Sequence, residues 1–194
     1  CYLRDGASGE YWSTAYQPTS KQADHYEAIF VEGRAEFRRR DFEIETHTEI
    51  VVSPEDDIEV RRLHITNRSR TSRTIEVTSY AEVVLAPAAA DALHPAFSNL
   101  FVQTEIIKSR HAILCSRRPR SAEEQIPWMF HLMIMHGATD PEISFETDRL
   151  RFIGRRGSVA APLAMTDPGA LSDTEGSVLD PIAAIRHRMT IEAG

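Results

Sequence analysis

Cysteine is scarce in this sequence, with only Cys1 and Cys115 among 194 residues. Two cysteines cannot build the disulfide framework on which small secreted domains rely. Cys115 lies in an apolar run, where a buried free thiol is the usual occupant, so we expect it to be buried. The shortage of cysteine therefore favours a reducing compartment.

Long apolar runs and a surplus of positive charge are also missing. No stretch approaches the roughly 20 apolar residues of a membrane-spanning helix, and the first residues lack the basic and apolar regions of a signal peptide. The net charge is −7, whereas nucleic-acid binding needs a continuous positive stripe. We interpret the basic clusters at 38–40, 61–62 and 117–120 as solvated strand faces and turns. The sequence thus predicts a soluble domain with no direct membrane contact and no nucleic-acid partner.

The common signatures of catalytic sites are absent too. No Cys-x-x-Cys pair, glycine-rich phosphate loop or Gly-x-Ser-x-Gly elbow occurs, which removes the usual signals for zinc, nucleotides and serine hydrolases. His131 and His136 form a close histidine pair, but five residues along a strand would point them to opposite faces. Acidic residues mostly alternate with apolar ones, as solvent-facing positions on strands do. We therefore predict no metal site and no catalytic residue in this chain.

What the sequence does contain is period-two alternation, which places successive side chains on opposite faces of a sheet. The stretch Phe42–Val52 is a clear case of a half-buried strand. Helical periodicity is confined to the alanine-rich stretch Ala86–Leu93, and Gly154–Pro181 is typical of a long loop. Further strands are predicted at His25–Val31, Leu100–Ile107, His111–Ser116, Trp128–His136, Arg149–Ile153 and Ile185–Ile191.

The middle of the chain predicts a pair of long strands. Ile58–Ile65 changes the parity of its apolar residues near Arg61 and Arg62, which predicts a β-bulge there because one extra residue reverses the face. Asn67–Arg73 is polar and turn-forming. The strand before it and the alternating stretch Ile75–Leu85 after it are therefore predicted to form an antiparallel hairpin.

The number and spacing of these strands determine the predicted fold class. Both parities of Trp128–His136 are mostly apolar, which predicts a central strand covered on both faces. Many short strands, with helix in under about one-tenth of the residues, indicate stacked antiparallel sheets. We therefore predict an all-β fold, a large antiparallel β-sandwich formed by residues 1–194 as a single domain.

The opening stretch Tyr2–Ser13 carries candidate binding residues, because it combines Arg4, Asp5 and Trp12 around a glycine turn. Arginine and aspartate can hydrogen-bond sugar hydroxyls, while an aromatic ring offers an apolar face to the C–H face of a pyranose. We predict that Trp12 lies at a domain edge and is partly exposed. The structural alternative is a β-hairpin whose Trp12 enters the core.

A second candidate segment, Leu93–Phe101, holds His94 and Asn99 among apolar anchors. An imidazole and an amide can each donate to and accept from a sugar hydroxyl, so both residues are candidates for substrate contact. The structural alternative is a loop pinned by Phe97 and Phe101.

These two segments, together with Glu59–Ala86 and Gly176–Arg186, resemble the sandwich domain that precedes the catalytic barrel in glycoside hydrolase family 94. The family includes cellobiose and chitobiose phosphorylases and the C-terminal region of cyclic β-1,2-glucan synthases. Its soluble phosphorylases tend to carry a His-Gly-x-Gly-Tyr-Thr-like segment on an early strand, where Ala28–Thr46 reads AIFVEGRAEFRRRDFEIET. The chain is therefore more similar to the cyclic-glucan-synthase branch.

The resemblance implies a galactose-mutarotase-like supersandwich that lies beside a helical catalytic barrel. The general-acid aspartate would belong to that barrel, so the resemblance implies no catalytic residue and no cofactor here, although the parent enzyme would use inorganic phosphate as a co-substrate. The implied partners are the barrel, a β-glucan oligosaccharide and, as an open alternative, a second copy in a homodimer. The parent would be anchored in the bacterial inner membrane with this domain in the cytoplasm.

The chain begins without methionine and stops while an alternating pattern is still running, so we expect a longer parent, a glycosyltransferase or glycoside phosphorylase acting on β-glucan. The predicted function is that of a non-catalytic, carbohydrate-associated domain that supports the barrel and forms one wall of its glucan site. Two other classes stay open. A free-standing carbohydrate-binding module would show a planar aromatic platform, and a mutarotase-like enzyme would need a histidine and a glutamate converging on a concave sheet face.

Overall fold

Most of the chain is extended, because its period-two segments form strands. The computed structural model describes residues 1–119, 121, 123–137 and 142–194. The strands in these residues are β1 (Tyr2–Asp5), β2 (Tyr11–Ser13), β3 (His25–Val31), β4 (Arg34–Asp41), β5 (Ile44–Val52), β6 (Glu59–Asn67), β7 (Arg73–Thr78), β8 (Ala81–Glu82), β9 (Val102–Ile107), β10 (Ala112–Arg117), β11 (Trp128–Leu132), β12 (Glu142–Asp148) and β13 (Pro181–Ile191). The helices are α1 (Ala88–Leu93), α2 (Pro95–Asn99), α3 (Arg149–Ile153) and α4 (Leu163–Thr166), with a 3-10 turn at Lys108–Arg110.

The chain divides into two compact units, one made of Cys1–Glu76 and Met189–Gly194 and the other of Val77–Arg188. In the first unit, β1 and β2 form an antiparallel hairpin, and β1 lies beside β7. The strands β3, β4, β5 and β6 form a four-stranded antiparallel sheet in that order. The buried apolar side chains of the first unit include Leu3, Trp12, Ile44 and Ile75.

A two-residue turn joins β4 to β5 and decides which side chains share a face. Phe42 and Glu43 both have positive φ, 49° and 69°, the backbone conformation that lets two twisted strands meet in a tight hairpin. The turn places Asp41 opposite Ile44, and the register continues from there without a shift along β4. Every side chain on these two strands therefore has a fixed face.

In the second unit, β11, β10 and β9 form a three-stranded antiparallel sheet in that order, and both β12 and β8 pair with β13. Side chains from these strands and their flanks meet in a buried apolar cluster, Val83, Val102, Ile113, Cys115, Phe145, Ala183 and Ile185. Removing this apolar surface from water is the main source of the stability of the unit.

The predicted all-β fold of antiparallel sheets is confirmed, since strands account for 46% of the chain and helices for 12%. The helical share is slightly above the expected tenth, because α3 forms in a segment predicted to be a strand and α4 in the predicted loop. Among the described residues, no helix combines the length and the apolarity that crossing a membrane would require.

The predicted hairpin between Ile58–Ile65 and Ile75–Leu85 is wrong. β6 pairs with β5, whereas β7 belongs to a different sheet. The reason lies in Asn67, whose amide donates to the carbonyl of Thr71 and whose oxygen accepts from the amide and the hydroxyl of Ser69. These bonds curl the connecting segment into a local turn that redirects the chain instead of folding it back on β6.

The β-bulge predicted at Arg61 and Arg62 is also wrong, because β5 and β6 keep one register along their whole length. The apolar residues Ile58 and Val60, whose parity suggested the bulge, are 43% and 52% exposed. They do not mark a buried face, so the change of parity needs no extra residue in the strand. An apolar residue on a strand is evidence of burial only where the sheet is covered.

The segment Arg149–Ile153, predicted as a strand, forms helix α3. Asp148 precedes it, and its carboxylate accepts a hydrogen bond from the backbone amide of Leu150 at 2.8 Å. This is N-capping, in which a side chain satisfies an amide that has no partner within the first turn. The stabilisation from this N-cap outweighs the weak preference of the alternating segment for a strand. Gly154, with a φ of 84°, ends the helix.

The prediction that Trp128–His136 is a central strand covered on both faces is wrong as well. β11 lies at one end of the order β11–β10–β9, and only Trp128–Leu132 of the segment is strand. One parity faces the core side, while Trp128 and Phe130 on the other parity are each 60% exposed. The segment is apolar at both odd and even positions because one of its faces points to the core while the other is an apolar row that nothing covers.

The prediction that Cys115 is buried is confirmed, since its exposed fraction is 0%. Burial raises the pKa of Cys115 to about 12, which leaves almost no reactive thiolate at neutral pH. We therefore expect a maleimide to label Cys1, a half-buried free thiol, in the native chain, but Cys115 only after denaturation. Intact mass before and after guanidinium chloride measures this, and fast labelling of Cys115 in native buffer would contradict it.

Candidate functional site

The opening segment folds into the β1–β2 hairpin and buries the polar candidates Arg4 and Asp5. Arg4 is 6% exposed, and its Nη1 donates to a carboxylate oxygen of Glu76 at 3.1 Å. Asp5 is 2% exposed and accepts from Nη2 of Arg73 at 2.6 Å. Both charged groups therefore have partners inside the chain, and their contact with a sugar stays a prediction.

Asp5 also organises the turn that follows β1. Its carboxylate accepts from the backbone amide of Ala7 at 3.1 Å and from the hydroxyl of Ser8 at 2.8 Å. Burial alone would raise the pKa of Asp5, but the hydrogen bonds from Arg73, Ser8 and Ala7 outweigh it and hold the pKa below its usual value. Asp5 is thus a charged, turn-stabilising group at neutral pH.

The prediction that Trp12 is partly exposed is wrong, because the side chain is only 1% exposed. The hairpin register sets Trp12 directly opposite Leu3, so both side chains enter the same buried face. The indole ring lies against Phe42 with a centroid separation of 5.9 Å. The structural alternative, a hairpin whose tryptophan enters the core, is the correct one, and Trp12 offers no exposed ring face for a sugar.

The second candidate segment forms the short helices α1 and α2, with the exposed His94 between them. Asn99 is half-buried, and its amide donates to Asp180 at 3.1 Å. Phe97 and Phe101 make an edge-to-face contact at 5.3 Å, as the structural alternative for this loop expects. Substrate contact by His94 and Asn99 stays a prediction.

Arg117, the last residue of β10, and Arg118, the residue after it, hold this loop in place. Arg117 is buried, and its Nη1 donates to the carbonyl of Ser98 at 2.9 Å. Nη2 of Arg118 donates to the carbonyl of Leu100 at 2.8 Å. The prediction that the basic cluster at 117–120 is exposed to solvent is therefore wrong for Arg117. Arg120 lies outside the described residues.

A dense set of charged side chains occupies one face of the β3–β6 sheet, and sequence reasoning did not predict it. Residues that are directly opposite on neighbouring strands point to the same side, so the registers of the four strands define this face. We call it the polar face, and its polar members are His25, Glu27, Arg34, Glu36, Arg38, Arg40, Glu45, His47, Glu49, Arg62, His64 and Thr66.

Glu36 is the centre of an ion-pair network on the polar face, although it is only 5% exposed. Its carboxylate contacts Arg34 at 2.7 Å, Arg38 at 3.5 Å and Nε2 of His47 at 3.0 Å. Glu49, on the neighbouring strand, pairs with Arg62 and lies 3.7 Å from Arg34. The hydrogen bond from Arg62 lowers the pKa of Glu49, which favours its charged form.

The same network contains a group of residues that could hold a metal ion, Glu36, His47 and Glu49, whose ligand atoms all lie within 4.8 Å of one another. Arginine already neutralises both carboxylates, so a divalent cation would have to displace guanidinium groups. Glu36 and His47 also form a histidine–glutamate contact, but the oxygens of Glu36 are engaged by Arg34 and Arg38. The geometry therefore suits an ion-pair network rather than a metal centre or an acid–base pair.

Next to this network the polar face carries a cleft with a volume of about 360 Å³. Polar-face residues from all four strands line it, namely His25, Glu27, Arg38, Arg40, Glu45, His47, His64 and Thr66. The lining also includes Arg39 and Thr46, whose side chains belong to the other face of the sheet. The signal that would have revealed it is the alternation of charged residues on both sides of the turn at Phe42 and Glu43, once that turn is recognised.

The prediction that the acidic residues face solvent is wrong at several positions. Glu76 and Glu146 are 3% and 2% exposed. One oxygen of Glu146 accepts from the backbone amides of Thr147 and Asp148, each at 3.0 Å, and the other accepts from the hydroxyl of Ser172. Buried acids in this chain thus have internal hydrogen-bond donors, as buried charges must.

A family model described as glycosyl hydrolase 94, supersandwich domain, matches residues 1–194. The cyclic β-(1,2)-glucan synthase NdvB of Rhizobium meliloti (strain 1021) is 38% identical over 194 residues, which are 100% of this chain and 7% of that protein. The solabiose phosphorylase of Paenibacillus borealis is 22% identical over 193 residues, 100% of this chain and 24% of that protein. The chain thus spans a small part of the length of these relatives.

Proposed function

This chain belongs to the glycosyl hydrolase 94 family as its supersandwich domain, and on that premise we propose that it is a non-catalytic domain that supports a helical catalytic barrel and forms one wall of its glucan site. The expected resemblance to this family is confirmed. Its relatives include a glucan synthase and a phosphorylase. We further propose that the enzyme containing this domain acts on β-glucan with inorganic phosphate as co-substrate, and that it is anchored in the inner membrane with this domain in the cytoplasm.

The observation that carries the non-catalytic proposal is that the buried carboxylates of the first unit are each committed to an arginine. Cleavage of a glycosidic bond needs an acid against the leaving oxygen and a second group on the opposite side of the anomeric carbon. Carboxylates held in short ion pairs are not free to play either part. The pairs are Arg4–Glu76, Arg73–Asp5, Arg34–Glu36 and Arg39–Asp41.

A surface suited to covering another domain supports the structural part of the proposal. The outer row of β11, Trp128, Phe130 and Leu132, ends with Leu132 44% exposed, and Ile134 beyond the strand is 65% exposed. Monomeric proteins rarely leave a contiguous apolar patch in water, and such patches mark interaction surfaces. We assign the barrel contact to this row.

We expect the purified chain to show no turnover of β-1,2-glucan, with or without phosphate. Glucose 1-phosphate and reducing ends are measured against a boiled control. Turnover that one substitution of a Glu, Asp or His abolishes would contradict the non-catalytic proposal and favour a mutarotase-like or hydrolytic activity.

The supporting role is tested by adding the chain to a separately produced catalytic barrel of this family. We expect the chain to raise the thermal midpoint of the barrel, and the double variant Trp128→Ser, Phe130→Ser to lose that effect. Because both side chains are already exposed, the variant should keep the unfolding midpoint of the chain itself. No shift of the barrel midpoint with the unmodified chain would contradict the supporting role.

A further inference from the structure

We propose that the cleft on the polar face binds a neutral, polyhydroxylated ligand, a short segment of glucan chain. The identification of the sugar as glucan rests on the proposed function, whereas the preference for a neutral polyol rests on the cleft itself. This site lies on β3–β6 and shares no residue with the opening hairpin or the His94 loop.

Two neighbouring rows of side chains form the floor of the cleft. In the first row the strand registers align His25, Arg40, Glu45 and Thr66, one from each strand. In the second they align Glu27, Arg38, His47 and His64. Strands lie about 4.8 Å apart and residues of one face recur about every 6.6 Å along them, so the two rows offer a grid of polar groups on the length scale of a sugar ring and its hydroxyls.

The charges of the two rows balance, which favours a neutral ligand. Glu27 and Glu45 oppose Arg38 and Arg40, and the remaining members are histidine and threonine. A phosphate or another anion would meet two carboxylates, and a cation would meet two guanidinium groups. Sugar hydroxyls both donate and accept, so they match a surface that alternates carboxylate acceptors with guanidinium, imidazole and hydroxyl donors.

Several of these groups are held in place before any ligand arrives. Arg38 contacts Glu27 and Glu36, each at 3.5 Å. His47 is fixed by its contact with Glu36. Glu45 is held by Arg68 at 2.9 Å, from outside the two rows. Side chains that are already oriented lose less conformational entropy on binding, which is how an exposed polar surface gains affinity.

The other members have hydrogen-bonding capacity to spare. Within the described part of the chain, the side chains of Arg40, His25 and His64 make no hydrogen bond or ion pair with another residue. They come from three different strands and all border the cleft. A ligand in the cleft would therefore find donors that need not be taken from an existing partner.

The test titrates the purified chain, by isothermal calorimetry, with a linear β-1,2-glucan oligosaccharide and separately with inorganic phosphate. We expect saturable binding of the glucan and none of phosphate at the same concentration. Arg40→Gln should weaken glucan binding about tenfold, the loss expected for one charged hydrogen bond. His64→Gln should weaken it as well. The matched control is Arg61→Gln, on the opposite face of the same sheet, which should bind like the unmodified chain.

Three outcomes would overturn the inference: no glucan binding at millimolar concentration, equal binding by the Arg40→Gln and Arg61→Gln variants, or binding of phosphate in preference to glucan. The thermal midpoint of each variant establishes that it is folded. These outcomes leave the supporting role intact, because that role is measured by the effect on the barrel. Conversely, loss of the barrel effect with retained glucan binding would contradict only the supporting role.

Discussion

Replacing Asp41 by asparagine is expected to lower the free energy of unfolding by about 3–5 kcal/mol, the cost of leaving a buried charge without its partner. Asp41 and Arg39 form a two-bond pair, with Nε–Oδ2 at 2.7 Å and Nη2–Oδ1 at 2.9 Å. Arg39 is 2% exposed and also donates to the carbonyl of Lys21 at 2.9 Å. The side-chain amide of an asparagine at position 41 could accept only one of the two hydrogen bonds from the Arg39 guanidinium. It would also carry no negative charge to balance that of Arg39.

The neighbouring arginine supplies the matched control for this prediction. Arg38 lies one residue away on the same strand, but its side chain is 51% exposed and contacts Glu27 and Glu36 only at 3.5 Å. Glu36 keeps its shorter pair with Arg34, so Arg38→Gln should cost only about 0–1 kcal/mol. Chemical denaturation at neutral pH measures both variants. Replacing both buried partners, Arg39→Met with Asp41→Asn, should recover part of the loss because no unpaired charge is left. If Asp41→Asn costs no more than Arg38→Gln, the pair contributes nothing to stability.

The run Arg38–Arg40 shows how far sequence alone could predict this sheet. Period-two alternation correctly indicates that neighbours on a strand face opposite ways, but three like residues in a row do not reveal which parity is buried. The answer depends on the turn at Phe42 and Glu43, which forms without the glycine or asparagine that usually signals it. Once that turn fixes the register, Arg39 enters the buried face and Arg38 and Arg40 belong to the polar face.

Pairing between distant segments escaped prediction for a similar reason. The all-β class follows from local alternation, and it is confirmed. The choice of partner strand does not follow from local alternation. An isolated β6 could pair along either edge, and the turn made by Asn67 prevents it from pairing with β7. Trp12 illustrates the same limit, because its burial follows from lying opposite Leu3 in the β1–β2 register. The polar face likewise exists only through the register of four strands.

His187 gives the second large effect, a loss of stability in mild acid. Its side chain is 0% exposed, and in the described residues neither ring nitrogen has a hydrogen-bond partner. The ring lies edge-to-face against His111 at 5.9 Å. Burial, with a smaller contribution from the charge of His111, lowers the pKa of His187 from 6.5 to about 4. The native state therefore holds this imidazole neutral where the unfolded chain would protonate it.

The sign of the effect follows from which state binds the proton. Above pH 6.5 the imidazole is neutral in both states and contributes no pH dependence. As the pH falls from 6.5 to about 4, His187 binds a proton in the unfolded chain but not in the native state. The free energy of unfolding therefore falls. At about 1.4 kcal/mol for each pH unit, this loss is on the order of 3 kcal/mol. Below that window both states are protonated and the loss from His187 stops growing.

Other groups titrate in the same window, so the measurement compares the chain with its His187→Phe variant at each pH. Phenylalanine keeps an aromatic ring against His111 but cannot take a proton. We expect the difference in unfolding free energy between the two proteins to be flat above pH 6.5 and to shift in favour of the variant as the pH falls to about 4. A constant difference between the chain and His187→Phe across this range would mean that the native state accommodates the charged imidazole, and that burial of His187 carries no cost in acid.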